Sequence, residues 1–322
     1  MPRSNRKILF HIGWPKTGST TLQSNAFPLL RNVRFLGKIP LSGSRNKPFF
    51  SFVYLLAYAT EDWFNHHHHA LWELLLQVER KKYDNNDESV ALLLSDEGVL
   101  GTLFKPINHD HHGISVASIK QIASRLAELE RLWNVDFQLL VVERDPIAFL
   151  HSYYAQLYYY FKRYRHLDTF EKYVDVGTSN DIQNDLGFAN LKQGSVITEL
   201  QKHFPKEKIH HIVMEDLFDG GRVYLHQWHP LLEEITVPIK KENVRSVGDG
   251  TKIANVGRNR NALYYVYIAV WQSLARYFSF LIHKPGSKRM EKEVTLTESI
   301  KNKLDAYLHR SLHEGGGGLR GT

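Results

Sequence analysis

The chain has 322 residues, 43% of them hydrophobic, enough for one large α/β domain with a real core and a helical appendage. It contains no cysteine, which excludes disulfides and thiolate metal sites. The net charge of +7 favours an anionic partner such as a polyanionic nucleotide, an acidic glycan or an anionic membrane surface. No concentrated basic stripe or reading module supports a nucleic-acid role.

Arg3, Arg6 and Lys7 precede an apolar run of only about five residues, shorter than the roughly 7–15 of a secretory core, so a cytoplasmic protein with no leader before its first strand is expected. That run, Ile8 to Ile12, stops at Gly13, and Ser19-Thr20-Thr21 opens a helical segment through Leu30. Strand, tight loop and helix in this order point the backbone N–H groups of Thr17 to Thr21 into one concavity at the positive end of a helix dipole, where a phosphate fits.

The spacing Gly13-x4-Gly18-Ser19-Thr20 is close to the triphosphate loop G-x-x-x-x-G-K-[ST], but Ser19 stands where the lysine belongs and the lysine is Lys16. In an ordinary loop that lysine reaches the β- and γ-phosphates beside magnesium. A lysine inside the loop instead sits over the bridge beyond a single 5′-phosphate. This variant, P-K-T-G-[ST]-T, resembles the 5′-phosphosulfate loop of sulfotransferases that use 3′-phosphoadenosine 5′-phosphosulfate (PAPS). By that resemblance Lys16, Thr17, Gly18, Ser19, Thr20 and Thr21 bind the donor.

Next come a short strand at Val33 to Lys38 and a turn-rich segment, Pro40 to Pro48, near the site. Phe49 to Lys82 is mostly helical in pattern, interrupted by the run His66 to His69. No motif at zinc spacing completes a metal set, so these histidines read as a solvated helix surface and no metal is assigned. Ser89 to Leu94 is a buried strand ending in Ser95-Asp96-Glu97-Gly98, and open α/β sheets place ligands at such strand ends. A carboxylate there can take the proton of an attacking hydroxyl, which makes Glu97 the first candidate base and Asp96 the reserve. The competing reading of either as a helix-capping or turn carboxylate stays open. The loop Gly101 to Gly113, with His109, His111 and His112, is a further source of a base, as in the cytosolic members of the resembled family. Ser115 to Trp133 is an amphipathic helix.

Val135 to Val142 is the second strong strand and runs into Glu143-Arg144-Asp145-Pro146, where a helix starts with proline in its first turn. Arg144, Asp145, Pro146, Ser152 and Tyr154 match R-[DN]-P-x5-S-x-Y, the pattern with which sulfotransferases hold the 3′-phosphate of PAPS. The resemblance assigns that phosphate to Arg144 and Ser152. Gln156 to Arg165 reads chiefly as core packing, with Lys162, Arg163 and Arg165 as rim contacts for an anionic acceptor. Lys208 to Val213 is another strand, and Met214-Glu215-Asp216-Leu217 after it is similar to the family's [YF]-E-D-L segment, in which the acids are structural. Arg245 lies in a stretch that loosely matches the family's late basic loop and is entered as a nucleotide contact. Ala262 to Ile282 is the most apolar segment, but Gln272, Ser273 and Arg276 interrupt it, favouring a helix packed on the domain or lying at a membrane surface over a span. Glu291 to Leu312 reads as a polar helix, and Gly315 begins a flexible tail.

The expected fold is a three-layer P-loop-type α/β domain with a central parallel sheet of the strands 7–13, 88–97, 135–143 and 208–214, and a helical C-terminal region. Residues 1–255 form the PAPS-binding domain, 256–312 a helical extension packed on it and 313–322 a tail. The expected function is metal-free sulfuryl transfer from PAPS to an acceptor hydroxyl, of a glycan or glycolipid by the resemblance. Lys16 and Glu97 are its catalytic residues. A P-loop small-molecule or sugar kinase, and a non-catalytic polyanion- or membrane-surface-binding protein using 262–282, are the alternatives.

Overall fold

Alternate residues of the buried strands serve opposite faces of one sheet. Ile8, Phe10 and Ile12 join Leu92, Leu94, Phe137, Leu139 and Val141 in one core, while Leu9, Leu93, Leu140 and Val142 belong to a second. A strand covered on both faces reads as a continuous apolar run, which is why the sequence shows runs here rather than alternation. The structure is a computed structural model that describes residues 6–37, 52–83, 89–104, 117–162, 164–179, 186–192, 194–219, 222–232, 251–258 and 289–309.

Five parallel strands make the sheet: β1 (Arg6–Gly13), β2 (Val33–Gly37), β3 (Ala91–Ser95), β4 (Val135–Glu143) and β5 (Ile209–Val213), in the order β2-β3-β1-β4-β5. This is the expected parallel α/β sheet, with Val33–Gly37 added as an edge strand. The chain leaves β1 towards β2 and leaves β4 towards β5, so the connections diverge between β1 and β4, the topological position at which open α/β sheets form a ligand crevice at the C-terminal strand ends.

The larger core lies under α2 (Glu61–Lys82), α4 (Ile119–Trp133) and α5 (Pro146–Phe161), which contribute Phe64, Leu75, Ile122, Leu126, Phe149 and Tyr154. The His66 to His69 run does not interrupt α2: it lies inside that helix, whose start is capped by Thr60 accepting from the Trp63 amide at 3.2 Å. On the other face, a short helix α1 (Ser19–Thr21) continues through a π-helical turn, Leu22–Ala26, and a 3₁₀ turn, Phe27–Leu29. Leu22, Phe27, Trp228 and Leu232 close the smaller core there.

At the start of the expected polar helix Glu291 to Leu312 the chain is extended instead. Thr251–Arg258 (β6) pairs antiparallel with Arg289–Thr295 (β7), and among the described residues helix follows over Glu298–His309. Val294 and Thr295 favour an extended backbone, Val294 buries its side chain, and Thr297 then starts the helix by accepting from the Ile300 amide at 3.3 Å. The pair is tied to α5 by His151, whose Nε2 lies 2.8 Å from the Val294 carbonyl. No helix among the described residues is long and apolar enough to cross a membrane. The segment 262–282, the loop histidines His109, His111 and His112, Arg245 and the tail lie outside the described residues.

At the N-terminal end of the sheet, opposite the crevice, Glu79 of α2 is buried against two guanidiniums. Arg6 gives it a bidentate pair at 2.6 and 2.8 Å and also donates to the Val90 carbonyl, while Arg34 bonds the same carboxylate. Burial alone would raise the Glu79 carboxyl, but the hydrogen bonds and charges of Arg6 and Arg34 hold it below the ordinary carboxylate range.

Candidate functional site

The loop between β1 and α1 is anchored by apolar contacts below and shaped by two left-handed residues. Trp14 is buried and donates its amide to the Val142 carbonyl at 3.1 Å, extending the β1–β4 ladder. Its ring packs on Phe104 and on Phe149 of α5 at centroid distances of 6.3 and 5.3 Å, fixing the loop to that helix. Thr17 is buried, and its hydroxyl donates to the Trp14 carbonyl at 2.8 Å. Its side chain therefore closes the loop from inside, leaving its amide as the group that can face an anion.

Gly18, at φ 75°, caps the helix, and Leu22 is the first residue to return a helical hydrogen bond, to the Gly18 carbonyl at 3.1 Å. The amides of Ser19, Thr20 and Thr21 thus lie in the first turn, where helix geometry gives them no intrahelical acceptor. Lys16 is also left-handed, at φ 71°. Glycine takes that conformation freely, whereas a lysine there carries backbone strain of order 1–3 kcal/mol.

Arg144 stands at the end of β4, immediately before the cap of α5: Asp145 accepts from the Ala148 amide at 2.7 Å, and Pro146 occupies the first helical position. The guanidinium of Arg144 donates to the Lys16 carbonyl at 3.1 Å and to Ser152 Oγ at 3.2 Å. Glu215, after β5, lies 3.5 Å from Arg144 Nε. The loop and the helix start, which the sequence separates by 128 positions, are thus joined in one cluster. Tyr154, though part of the same sequence pattern, turns away: it is buried with its hydroxyl donating to the Leu167 carbonyl at 3.0 Å.

Burial pushes the Lys16 ammonium below its ordinary range, and the positive charge of Arg144 pushes it in the same direction. Two cations held close together in a partly buried site repel each other unless an anion lies between or over them. Glu215, half-exposed, lies beside Arg144 and offsets part of this positive charge.

On the other side of β1, the carboxylates after β3 have separate roles. Asp96 accepts from the Gly98 amide at 2.9 Å and so makes the turn that opens the short helix α3 (Gly98–Gly101). A Cβ on Gly98 would stand 2.9 Å from both Asp96 Oδ1 and Val53 Cγ2, so a larger residue there would displace one of these side chains. The turn reading thus describes Asp96. The Glu97 side chain makes no cap bond to α3 but accepts from Gln23 Nε2 at 2.9 Å. Helix α3 returns toward the loop, since a Cβ on Gly101 would meet Pro15 at 3.3 Å.

The sequence had not singled out Gln23, Ser95 or His11 as site residues. Gln23 also donates to Ser95 Oγ at 2.8 Å, and Ser95 Oγ lies 2.6 Å from His11 Nδ1. The signal was available only through register: His11 of β1 pairs with Ser95 of β3.

No protein-family model matches this chain, nor does any curated protein. Among solved structures the chain is similar to the crystal structure of a sulfotransferase from Alicyclobacillus acidocaldarius, with 12% sequence identity and a TM-score of 0.40 over 98% of this chain and 99% of that one. At that identity and TM-score the likeness carries no argument about activity.

Proposed function

We propose that the chain is a sulfotransferase that moves the sulfuryl group of PAPS to an acceptor hydroxyl. The observation that carries this reading is the Arg144 guanidinium bonded to both the Lys16 carbonyl and Ser152 Oγ, which joins the loop after β1 to the end of β4 and brings two cationic residues into one cluster. A donor with one phosphate at each end of its ribose offers an anion to each of these two cations. The open first-turn amides of Ser19, Thr20 and Thr21, with that of Thr17, take the 5′-phosphate, and Arg144 with Ser152 takes the 3′-phosphate.

PAPS supplies an activated S–O bond whose cleavage leaves negative charge on the oxygen between sulfur and phosphorus. Lys16 places its ammonium at that oxygen, a positioned cation aimed at charge that grows only as the bond breaks. Glu97 accepts the proton of the acceptor hydroxyl as the new S–O bond forms. The donor offers no β,γ-phosphate pair to bridge, so this reading assigns no metal. The acceptor is a carbohydrate or glycolipid hydroxyl on the grounds of resemblance, and Arg245 is a further contact to the nucleotide.

Calorimetry with 3′-phosphoadenosine 5′-phosphate tests the reading. We expect micromolar binding without magnesium, weakened on the order of 10- to 100-fold in Arg144→Ala, the equivalent of losing a charge-assisted hydrogen-bonding partner worth about 1.5–3 kcal/mol. Binding of ATP and magnesium in preference to this nucleotide supports the kinase instead, and binding of neither leaves the sulfotransferase reading without support.

A further inference from the structure

We propose that Gln23 is a positioning residue that holds the Glu97 carboxylate in place, and that it is itself set by a buried chain running back through Ser95 to His11. The proposal rests on the reading of Glu97 as the base. Its geometry is continuous: Glu97 Oε2 to Gln23 Nε2 at 2.9 Å, Gln23 Nε2 to Ser95 Oγ at 2.8 Å, and Ser95 Oγ to His11 Nδ1 at 2.6 Å. The links come from three elements, namely the turn after α1, the end of β3 and the middle of β1.

The hydrogen-bond directions follow from chemistry. A carboxylate accepts only, so the Gln23 amide presents Nε2 rather than Oε1 to Glu97, and its second hydrogen goes to Ser95 Oγ. The Ser95 hydroxyl, already accepting, has its own hydrogen to give, and His11 Nδ1 is within reach. That transfer of direction requires a neutral imidazole with its proton on Nε2. Burial pushes His11 down to about 4, only partly countered by the charge of Glu97, so the ring is neutral near pH 7. Nε2 has no hydrogen-bond partner among the described residues. The ring instead stands at steep angles to Phe27 and Trp228, at centroid distances of 5.4 and 5.3 Å. An N–H is tolerated in such aromatic surroundings, which is compatible with the tautomer the chain needs.

The consequence is mechanical. His11 and Ser95 are fully buried partners on neighbouring strands, so Gln23 cannot turn its amide over without breaking two bonds. Glu97, on a short surface-side turn, inherits that rigidity. A donor on its oxygen also favours the ionised form, the form that takes a proton from a hydroxyl.

The test uses the full chain in Gln23→Ala, Gln23→Met and Glu97→Gln variants, the methionine preserving side-chain volume should alanine disturb folding. Sulfuryl transfer from labelled PAPS to an oligosaccharide panel is followed against pH. In parallel, the Glu97 carboxyl carbon is titrated by NMR in protein labelled at glutamate, assigned by its absence in Glu97→Gln. For both Gln23 variants we expect kcat to fall about tenfold or more with KM for PAPS unchanged, and both the acidic limb and the Glu97 titration midpoint to move up by about one pH unit. An unmoved midpoint and limb in both folded variants, with Glu97→Gln inactive, overturns the proposal alone. Full turnover in Glu97→Gln overturns the base reading beneath it.

Discussion

Replacing Lys16 with alanine is expected to lower sulfuryl transfer by about 10²–10³-fold, the cost of removing one preorganised charge from the site of developing negative charge. Folding should be unimpaired, because the Lys16 side chain is not part of either core and only its carbonyl is bonded by Arg144. The left-handed backbone supplies a control. Lys16→Gly removes the same ammonium and also the Cβ that makes φ 71° costly, so it is expected to be as inactive as Lys16→Ala but no less stable than the wild type. Thermal unfolding of the three proteins, alongside labelled-PAPS turnover, separates charge from strain. Turnover at the wild-type rate in either variant would remove Lys16 from the mechanism.

Glu79→Ala is expected to be the most destabilising single change, by about 3–5 kcal/mol, because it leaves Arg6 and Arg34 buried without their anion. Urea unfolding at neutral pH measures it. The pH dependence has a definite sign. The folded carboxyl of Glu79 lies below its unfolded value, so its contribution is complete above the ordinary carboxylate range and is lost as pH falls through the folded value. The stability gap between wild type and Glu79→Ala should therefore narrow on acidification. A gap that stays constant or widens would show that the ion cluster is not what this carboxylate stabilises. Nucleotide binding by any folded fraction should be retained, since Glu79 sits at the sheet end away from the crevice.

Much of the fold was legible because its signals are local. The apolar runs at Ile8, Leu92 and Leu139, each ending in glycine or charged residues, announce buried strands, and Thr17 to Thr21 announces a loop entering a helix. The start of the polar helix, Glu291 to Thr295, was misread because Arg289–Thr295 is charged and short, and its extended state comes from hydrogen bonds to β6, a partner more than thirty positions away. Asp96 and Glu97 could not be told apart from sequence, since adjacent acids after a strand differ only in which side chain reaches back to the next amide.

The sequence by itself determined that a phosphate-type loop follows the first strand, that its lysine is displaced to Lys16, and that Arg144 and Ser152 follow another strong strand. These depend on residue type and spacing along the chain. Only the tertiary structure decided that β1 lies between β3 and β4, and everything at the site that follows from that order. It put the Arg144 guanidinium on the Lys16 carbonyl, forced Lys16 into a left-handed backbone, and joined Glu97 through Gln23 and Ser95 to a buried histidine. Strand order and register are set by the global packing of two apolar faces, and side chains distant in sequence meet only once that packing exists.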